Sequence, residues 1–211
     1  FLLDSYQYRR KNLLYLLPLV MLLWVNMHGS FVLGIVLLGI YLACNFARGY
    51  LARADQREFY KEKARGLLPA TVACLLVILV NPKGFHVFAF PFELLSHRFA
   101  MDNTQEWLSP DFHKPLLFKY LFLLMIALFA TSGARLNLIE IALIILFTNM
   151  SLYSVRYIPL FGIIAAPILS RSGEYLVNGW DGKWKRAFID RSNNIASMDA
   201  AARGYLWPAV A

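Results

Sequence analysis

Seven side chains able to bind a polar ligand lie in three stretches of the sequence. WVNMHGSF contains Asn26 and His28, QEWLSPDFH contains Glu106, Trp107, Asp111 and His113, and SLYSVRYIPLF contains Arg156. An arginine presents a planar fork of donors that clamps a phosphate through two parallel hydrogen bonds. Arg156 is therefore a candidate ligand for a lipid-linked phosphate, and the alternative is an ion pair with Glu106 or Asp111.

Asn26 and His28 interrupt a long apolar stretch of the chain, with LLYLLPLVMLL before them and VLGIVLLGIYLA after them. Gly29 permits a reversal of the chain, so the stretch is predicted to be a tight turn between two helices. Polar groups at membrane depth tend to line substrate paths, which favours a position facing a cavity. The alternative is that both side chains satisfy backbone groups at the two helix ends.

Glu106, Asp111 and His113 offer oxygen and nitrogen atoms that a hard divalent cation, such as magnesium or manganese, can use as ligands. Their spacing matches no specific metal motif. Hydrogen bonds that fix the loop, or contacts with an acceptor, are the alternative roles. No cofactor is therefore assigned beyond a candidate divalent ion, and no catalytic residue is identified.

Composition indicates the solvent in which the chain folds. Hydrophobic residues make up 59% of the 211 residues, charged residues only 16%, and the mean hydropathy is +0.51. A soluble globular domain has about 45–50% apolar and about 25% charged residues. The composition predicts an integral membrane protein whose partners are membrane lipids, and the net charge of +8 gives no reason to invoke nucleic acid.

Apolar residues cluster in runs without strict alternation, which favours membrane-spanning helices over barrel strands. The predicted fold is all-α: a polytopic membrane bundle of about six short, irregular transmembrane helices with an interfacial outer loop. The runs cover residues 13–27, 30–46, 67–80, 116–134, 136–151 and 157–170. Several are shorter than the ~20 residues that a straight spanning helix needs.

Lys and Arg are distributed asymmetrically between alternate loops. If the N-terminus is cytoplasmic, 16 of the 21 basic residues lie on the inner side, and four lie on the outer side. The positive-inside rule therefore predicts a cytoplasmic N-terminus. This orientation places all seven candidate ligand residues on the outer side.

The predicted organisation has two parts. Residues 1–170 form the transmembrane bundle, in which the outer loop 81–115 lies on the membrane and packs over the first two spans. Residues 171–211 form a cytoplasmic amphipathic tail that leads into a possible further span at GYLWPAVA. The first residue is Phe1 rather than an initiator Met, so a piece of a longer protein is expected.

The order of several stretches resembles a known family. LLPLVMLLWVNMHGSFVLGIVLLGIYL, NPKGFHVFAFPFELL, QEWLSPDFH, RYIPLFGIIAAPIL and ARGYLWP follow one another along nearly the whole chain. Together they resemble the C-terminal membrane half of bacterial polytopic proteins related to the GT-C class of glycosyltransferases. GT-C enzymes transfer a sugar from a polyprenyl-phosphate carrier at the outer membrane face.

The resemblance implies a location in the bacterial cytoplasmic (inner) membrane and a polyprenyl-phosphate sugar as substrate. It implies that Arg156 and His28 bind the carrier phosphate, while Asn26 and Glu106 orient hydroxyl groups of the sugar or acceptor. The acidic general base of such enzymes lies in an outer loop that would precede this sequence. A transporter, or a non-catalytic membrane scaffold, is the alternative function.

Overall fold

The computed structural model of the chain describes residues 1–9, 11–180 and 182–202, so the predicted further span at GYLWPAVA lies outside the described residues. These residues contain helices and turns and no β-strand, which confirms the all-α class. The α-helices are α1 (Leu2–Tyr8), α2 (Leu17–Met27), α3 (Phe31–Leu51), α4 (Ala54–Ile78), α5 (Phe90–Ser96), α6 (Arg98–Asn103), α7 (Leu117–Thr131), α8 (Leu138–Tyr153), α9 (Ile158–Asn178) and α10 (Lys183–Ala201).

Each of the six apolar runs overlaps a helix, but the helices differ in length. Two helices in the described part of the chain, Phe31–Leu51 and Val155–Asn178, are long and apolar enough to cross a membrane. Leu14–Met27, Leu117–Thr131 and Leu138–Tyr153 are apolar and shorter. At ~1.5 Å per residue, helices of this length fall short of the ~30 Å hydrocarbon core unless the bilayer thins around them.

The run 67–80 is the second half of a longer helix, because α4 begins at Ala54 and continues through Pro69 to Ile78. The charged stretch 47–66 between two apolar runs is therefore divided between the end of α3 and the first half of α4. Only Ala52 and Arg53 separate these two helices.

The chain forms two compact units. The first comprises Phe1–Pro110 and Asn137–Ile158, and the second comprises Asp111–Leu136 and Pro159–Ala211. In the first unit, α4 packs along α3 and α2, and α8 packs against α3. Phe31, Leu67 and Ile78 are completely buried in this core. Burial of large apolar side chains is the main stabilising contribution of such contacts.

Small residues allow the helices of the first unit to approach one another closely. A Cβ atom at Gly34 of α3 would lie 2.8 Å from the Met21 Cε atom and 3.0 Å from the Trp24 ring, both on α2. A larger side chain at this position would force the side chains of Met21 and Trp24 to shift. Small residues serve this purpose at many helix contacts in membranes.

Helix α1 is held against the bundle by two sets of polar contacts. Gln7 and Asn45 exchange reciprocal amide hydrogen bonds of 3.1 and 3.0 Å, and both side chains are buried. The Tyr6 hydroxyl donates to the Lys63 carbonyl at 3.2 Å, and the Lys63 ammonium donates to the Tyr6 carbonyl at 2.5 Å. Burial, together with the Glu62 carboxylate, raises the pKa of the Tyr6 phenol, so the phenol remains a donor.

The second unit contains α7, α9 and α10. Phe118 of α7 packs edge to face against Phe161 of α9, with ring centroids 5.3 Å apart, and both side chains are buried. Aromatic pairs prefer this geometry because the positive edge of one ring meets the negative face of the other. Helix α10 contributes no buried side chain.

Candidate functional site

The C-terminal ends of α2, α4 and α8 meet the N-terminal end of α3 at one end of the first unit. Asn81, just beyond α4, joins two of these ends. Its side-chain amide donates to the Val25 carbonyl at 3.0 Å and to the Asn26 side-chain oxygen at 3.2 Å, while its own oxygen accepts from the Lys83 amide at 2.9 Å. Asn26 in turn donates to the Leu22 carbonyl at 2.8 Å.

These bonds give Asn26 a scaffolding role, because both polar atoms of its side chain have protein partners. Of the two alternatives for Asn26, the geometry favours the satisfaction of backbone and neighbouring groups at helix ends. The side chain nevertheless lines a pocket that lies beside it.

His28 terminates α2 in an extended conformation, with φ −156° and ψ 137°. Its Nδ1 atom accepts the backbone N–H of Ser30 at 3.0 Å, and the Ser30 hydroxyl accepts the indole N–H of Trp24 at 3.1 Å. Because Nδ1 accepts a hydrogen bond, it carries no proton, and the proton of the neutral imidazole resides on Nε2. The turn thus fixes the orientation of the ring and favours the tautomer that is protonated on Nε2.

Arg156 lies against the Nε2 atom of His28. The Arg156 Nη2 atom is 3.2 Å from His28 Nε2, and the guanidinium carbon is 4.8 Å from the centroid of the Trp107 ring. The Trp107 ring holds the guanidinium by a cation–π contact. Three of the seven candidate residues, from the three separate stretches, are therefore brought together.

Two hydrogen bonds hold the segment containing Trp107 next to Arg156. The Ser154 hydroxyl donates to the Glu106 carbonyl at 2.7 Å, and the Val155 amide donates to the Leu108 carbonyl at 3.0 Å. Ser154 is completely buried. The position of Trp107 is consequently fixed by the Ser154 hydroxyl and the Val155 amide, both in the turn that carries Arg156.

The contact between Arg156 and His28 lacks an acceptor. A neutral imidazole has one lone pair on its ring nitrogens, and the Ser30 amide uses it. The guanidinium of Arg156 has only donors. In this tautomer, the Nη2–H group of Arg156 and the Nε2–H group of His28 are therefore two donors that lie side by side. In the described part of the first unit, no carboxylate forms an ion pair with Arg156. An anion placed beside this pair would accept from both groups.

A pocket of about 360 Å³ adjoins His28. Its polar lining includes Asn26, His28, Asn81 and Lys83, and Phe90 closes one side. The Lys83 ammonium lies 5.6 Å from the centroid of the Phe90 ring. None of the described residues that line this pocket is acidic, so Lys83 makes it attractive to anions.

Gly29 allows the Phe90 ring, which lines this pocket, to lie against the turn. A Cβ atom at Gly29 would overlap the edge of the Phe90 ring. The turn residue therefore has a packing role in addition to the chain reversal that the sequence predicts.

The remaining candidate residues have local roles in the structure. The Glu106 side chain is exposed, and its backbone carbonyl makes the contact with Ser154. Asp111 and His113 belong to the second unit, where the Asp111 carboxylate accepts the His113 amide at 3.0 Å and lies 3.5 Å from the Lys114 ammonium. These two contacts stabilise a turn, which matches the loop-fixing alternative.

Among residues 1–9, 11–180 and 182–202, no group of three or more His, Cys, Asp or Glu side chains is placed to hold a metal ion. Glu106, Asp111 and His113 are thus not gathered into a metal-binding cluster. The chemistry available near His28 is the binding of anions by nitrogen donors.

Sequence reasoning missed Asn81, Lys83 and Ser154 as parts of the site. Asn81 and Lys83 belong to the NPKG turn, whose composition indicates a turn and whose position directly after an apolar run was the available signal. Ser154 carries no comparable signal, because its role depends on a partner 48 residues away in the sequence.

Comparison with known proteins does not assign a family. No protein-family model, curated protein or solved structure matches the chain.

Proposed function

We propose that the protein spans the bacterial inner membrane as a bundle of about six short helices, with its N-terminus in the cytoplasm. The exposed surfaces of the helices support this arrangement. Leu23, Leu76, Ile145 and Ile163 are each at least 60% exposed and lie on four different helices. Apolar surface on this many helices is costly in water and favourable in lipid.

Labelling of single cysteines tests the orientation. Cysteine at position 105 is expected to react with a membrane-impermeant thiol reagent added outside intact cells, whereas cysteine at 57 or 185 is not. The charge asymmetry is the reason, because loops rich in Lys and Arg stay on the cytoplasmic side. The native Cys44 and Cys74 are buried, so the unmodified protein is the background control. Labelling at position 57 from outside would contradict the proposed orientation.

We further propose that the site around Arg156 and His28 binds the phosphate of a polyprenyl-linked sugar at the outer membrane face. The observation that carries this proposal is the 3.2 Å contact between Arg156 Nη2 and His28 Nε2, which brings two donors together in the tautomer that the Ser30 amide favours. A phosphate oxygen accepts from both, and charge-assisted bonds to phosphate are about twice as strong as neutral ones.

Three surrounding features support a phosphate ligand. Trp107 holds the guanidinium by its face, which leaves the edge of the guanidinium free to donate. Lys83 adds a second positive charge in the adjoining pocket. The pocket has room for part of a sugar, since small-ligand sites begin at about 300 Å³.

The proposed reaction class is transfer of a sugar by a GT-C-like glycosyltransferase, of which this chain supplies the phosphate-binding part. Its own residues would hold and orient the donor phosphate, while the general base would come from a segment outside this sequence. Asn26 and Asn81 keep the pocket wall in place through their hydrogen bonds.

Binding of a carrier lipid tests the function directly. The protein in lipid nanodiscs is expected to bind polyprenyl phosphate at least about tenfold more tightly than the corresponding polyprenol, because the alcohol lacks the charged acceptor. The measurement is displacement of a fluorescent polyprenyl phosphate by each lipid. Equal displacement by the alcohol would contradict phosphate recognition and favour a transporter or scaffold.

A further inference from the structure

Helix α10 exposes an apolar stripe. Trp184 is 81% exposed, Ile195 62% and Met198 71%. At about 100° per residue, these three side chains lie within ~60° of one another around the helix. An exposed apolar stripe along one side of a helix favours contact with something other than water.

Positive charge accompanies the stripe. Lys183, Lys185, Arg186 and Arg191 are the basic residues of α10, and Asp190 and Asp199 are the acidic ones. Arg191 lies within the stripe, and Lys183 lies roughly 100° from Trp184. Long basic side chains in these positions can extend to headgroups while their stems cover apolar surface. This arrangement is typical of a helix that lies in a membrane interface.

Helix α10 is also attached to the end of a long apolar helix. The Lys185 ammonium donates to the carbonyl of Asn178, the last residue of α9, at 3.2 Å. The Trp180 ring meets the Phe188 ring edge to face, with centroids 6.2 Å apart. Gly182 has φ +79°, a conformation that glycine adopts readily, and it precedes the first residue of α10.

Val155–Asn178 is long and apolar enough to cross a membrane, and the apolar run within it ends near residue 170. Four residues separate the end of this helix from the start of α10. The apolar stripe of α10 therefore lies close enough to the membrane to contact its acyl chains.

We propose that α10 docks on the surface of an anionic lipid leaflet, with Trp184, Ile195 and Met198 among the acyl chains. Arg191 and Lys183 contact the lipid phosphates, which accept hydrogen bonds from their cationic groups. The helix thereby anchors the end of α9 at a fixed depth. This proposal is independent of phosphate binding near His28, since it involves other residues in the second unit.

Fluorescent labelling of the full chain in vesicles tests the docking. An environment-sensitive probe is attached at Met198→Cys, on the stripe, or at Ser197→Cys, roughly 220° around the helix from Trp184. Lipids brominated on their acyl chains are expected to quench about half of the fluorescence at position 198 and almost none at 197. The matched pair differs by one residue in sequence but by about 100° around the helix.

The role of charge is tested by lipid composition. Quenching at position 198 is expected to be stronger in vesicles containing phosphatidylglycerol than in phosphatidylcholine alone, and Lys183→Gln/Arg191→Gln should abolish this difference. Arg53→Gln/Lys61→Gln removes the same charge from another part of the chain and should preserve the difference between the two lipids.

Equal quenching at positions 197 and 198 would overturn the proposal. So would a probe at 198 that is shielded from water but not quenched by lipid, since a second protein copy would then cover the stripe.

Discussion

Arg156→Lys is expected to weaken the binding of polyprenyl phosphate by roughly ten- to a hundredfold, because a charge-assisted hydrogen bond contributes about 1.5–3 kcal/mol. Lysine keeps the positive charge but loses the planar fork, so it cannot contact the phosphate beside His28 while stacking on Trp107 as the guanidinium does. The measurement is displacement of the fluorescent carrier in nanodiscs, with thermal unfolding followed in parallel.

Arg65→Lys is the matched control for this substitution. Arg65 is an exposed arginine of the same unit whose partner is Glu58, 3.2 Å away. An exposed ion pair of this kind contributes about 1 kcal/mol or less, so carrier binding should be unchanged. If Arg156→Lys binds the carrier as well as the wild type while unfolding at the same temperature, the phosphate-binding role of Arg156 is wrong.

A second prediction concerns the paired amides of α1 and α3. Asn45→Leu is expected to lower the free energy of unfolding by about 1–3 kcal/mol, because the buried Gln7 amide loses both of its hydrogen bonds to Asn45. Asn45 is fully buried and Gln7 is 4% exposed, so water cannot replace the missing partner. Reversible unfolding in detergent, followed by circular dichroism, measures the loss.

The double variant Gln7→Leu/Asn45→Leu measures how much of the stability comes from the hydrogen bonds between the two amides. Since it removes both polar partners, it should be less destabilised than the sum of the single variants. Asn103→Leu, at an exposed asparagine that bonds within its own helix, should change stability by less than about 0.5 kcal/mol. Additive losses from Gln7→Leu and Asn45→Leu would show that the amides do not stabilise each other.

The sequence by itself determined the helical class and the approximate position of each apolar helix. These features are local, because the apolar character of a segment and the residues at its ends favour a helix without reference to the rest of the chain. Asn137 and Glu140 illustrate this point. They form a capping box at the start of α8, with bonds of 3.0 and 2.8 Å, and the NLIE spacing contains both partners.

The local pattern of apolar residues did not show where one helix ends and the next begins. The charged and apolar halves of α4 differ in composition and were separated in the prediction, yet backbone hydrogen bonding continues through both. A helix can pass from water into lipid because its backbone hydrogen bonds are made within the helix, and α4 continues even past Pro69, which has no N–H to donate. A change of composition therefore does not mark a helix end.

Tertiary structure alone decided which candidate residues share a site. His28 and Arg156 are 128 positions apart, and their contact depends on α2 and α8 ending at the same side of the first unit. Asn26 was a candidate ligand by residue type, but the nearby Asn81 uses its side-chain oxygen. Residue type fixes which hydrogen bonds a side chain can make, whereas the packing of helices fixes which partners it meets.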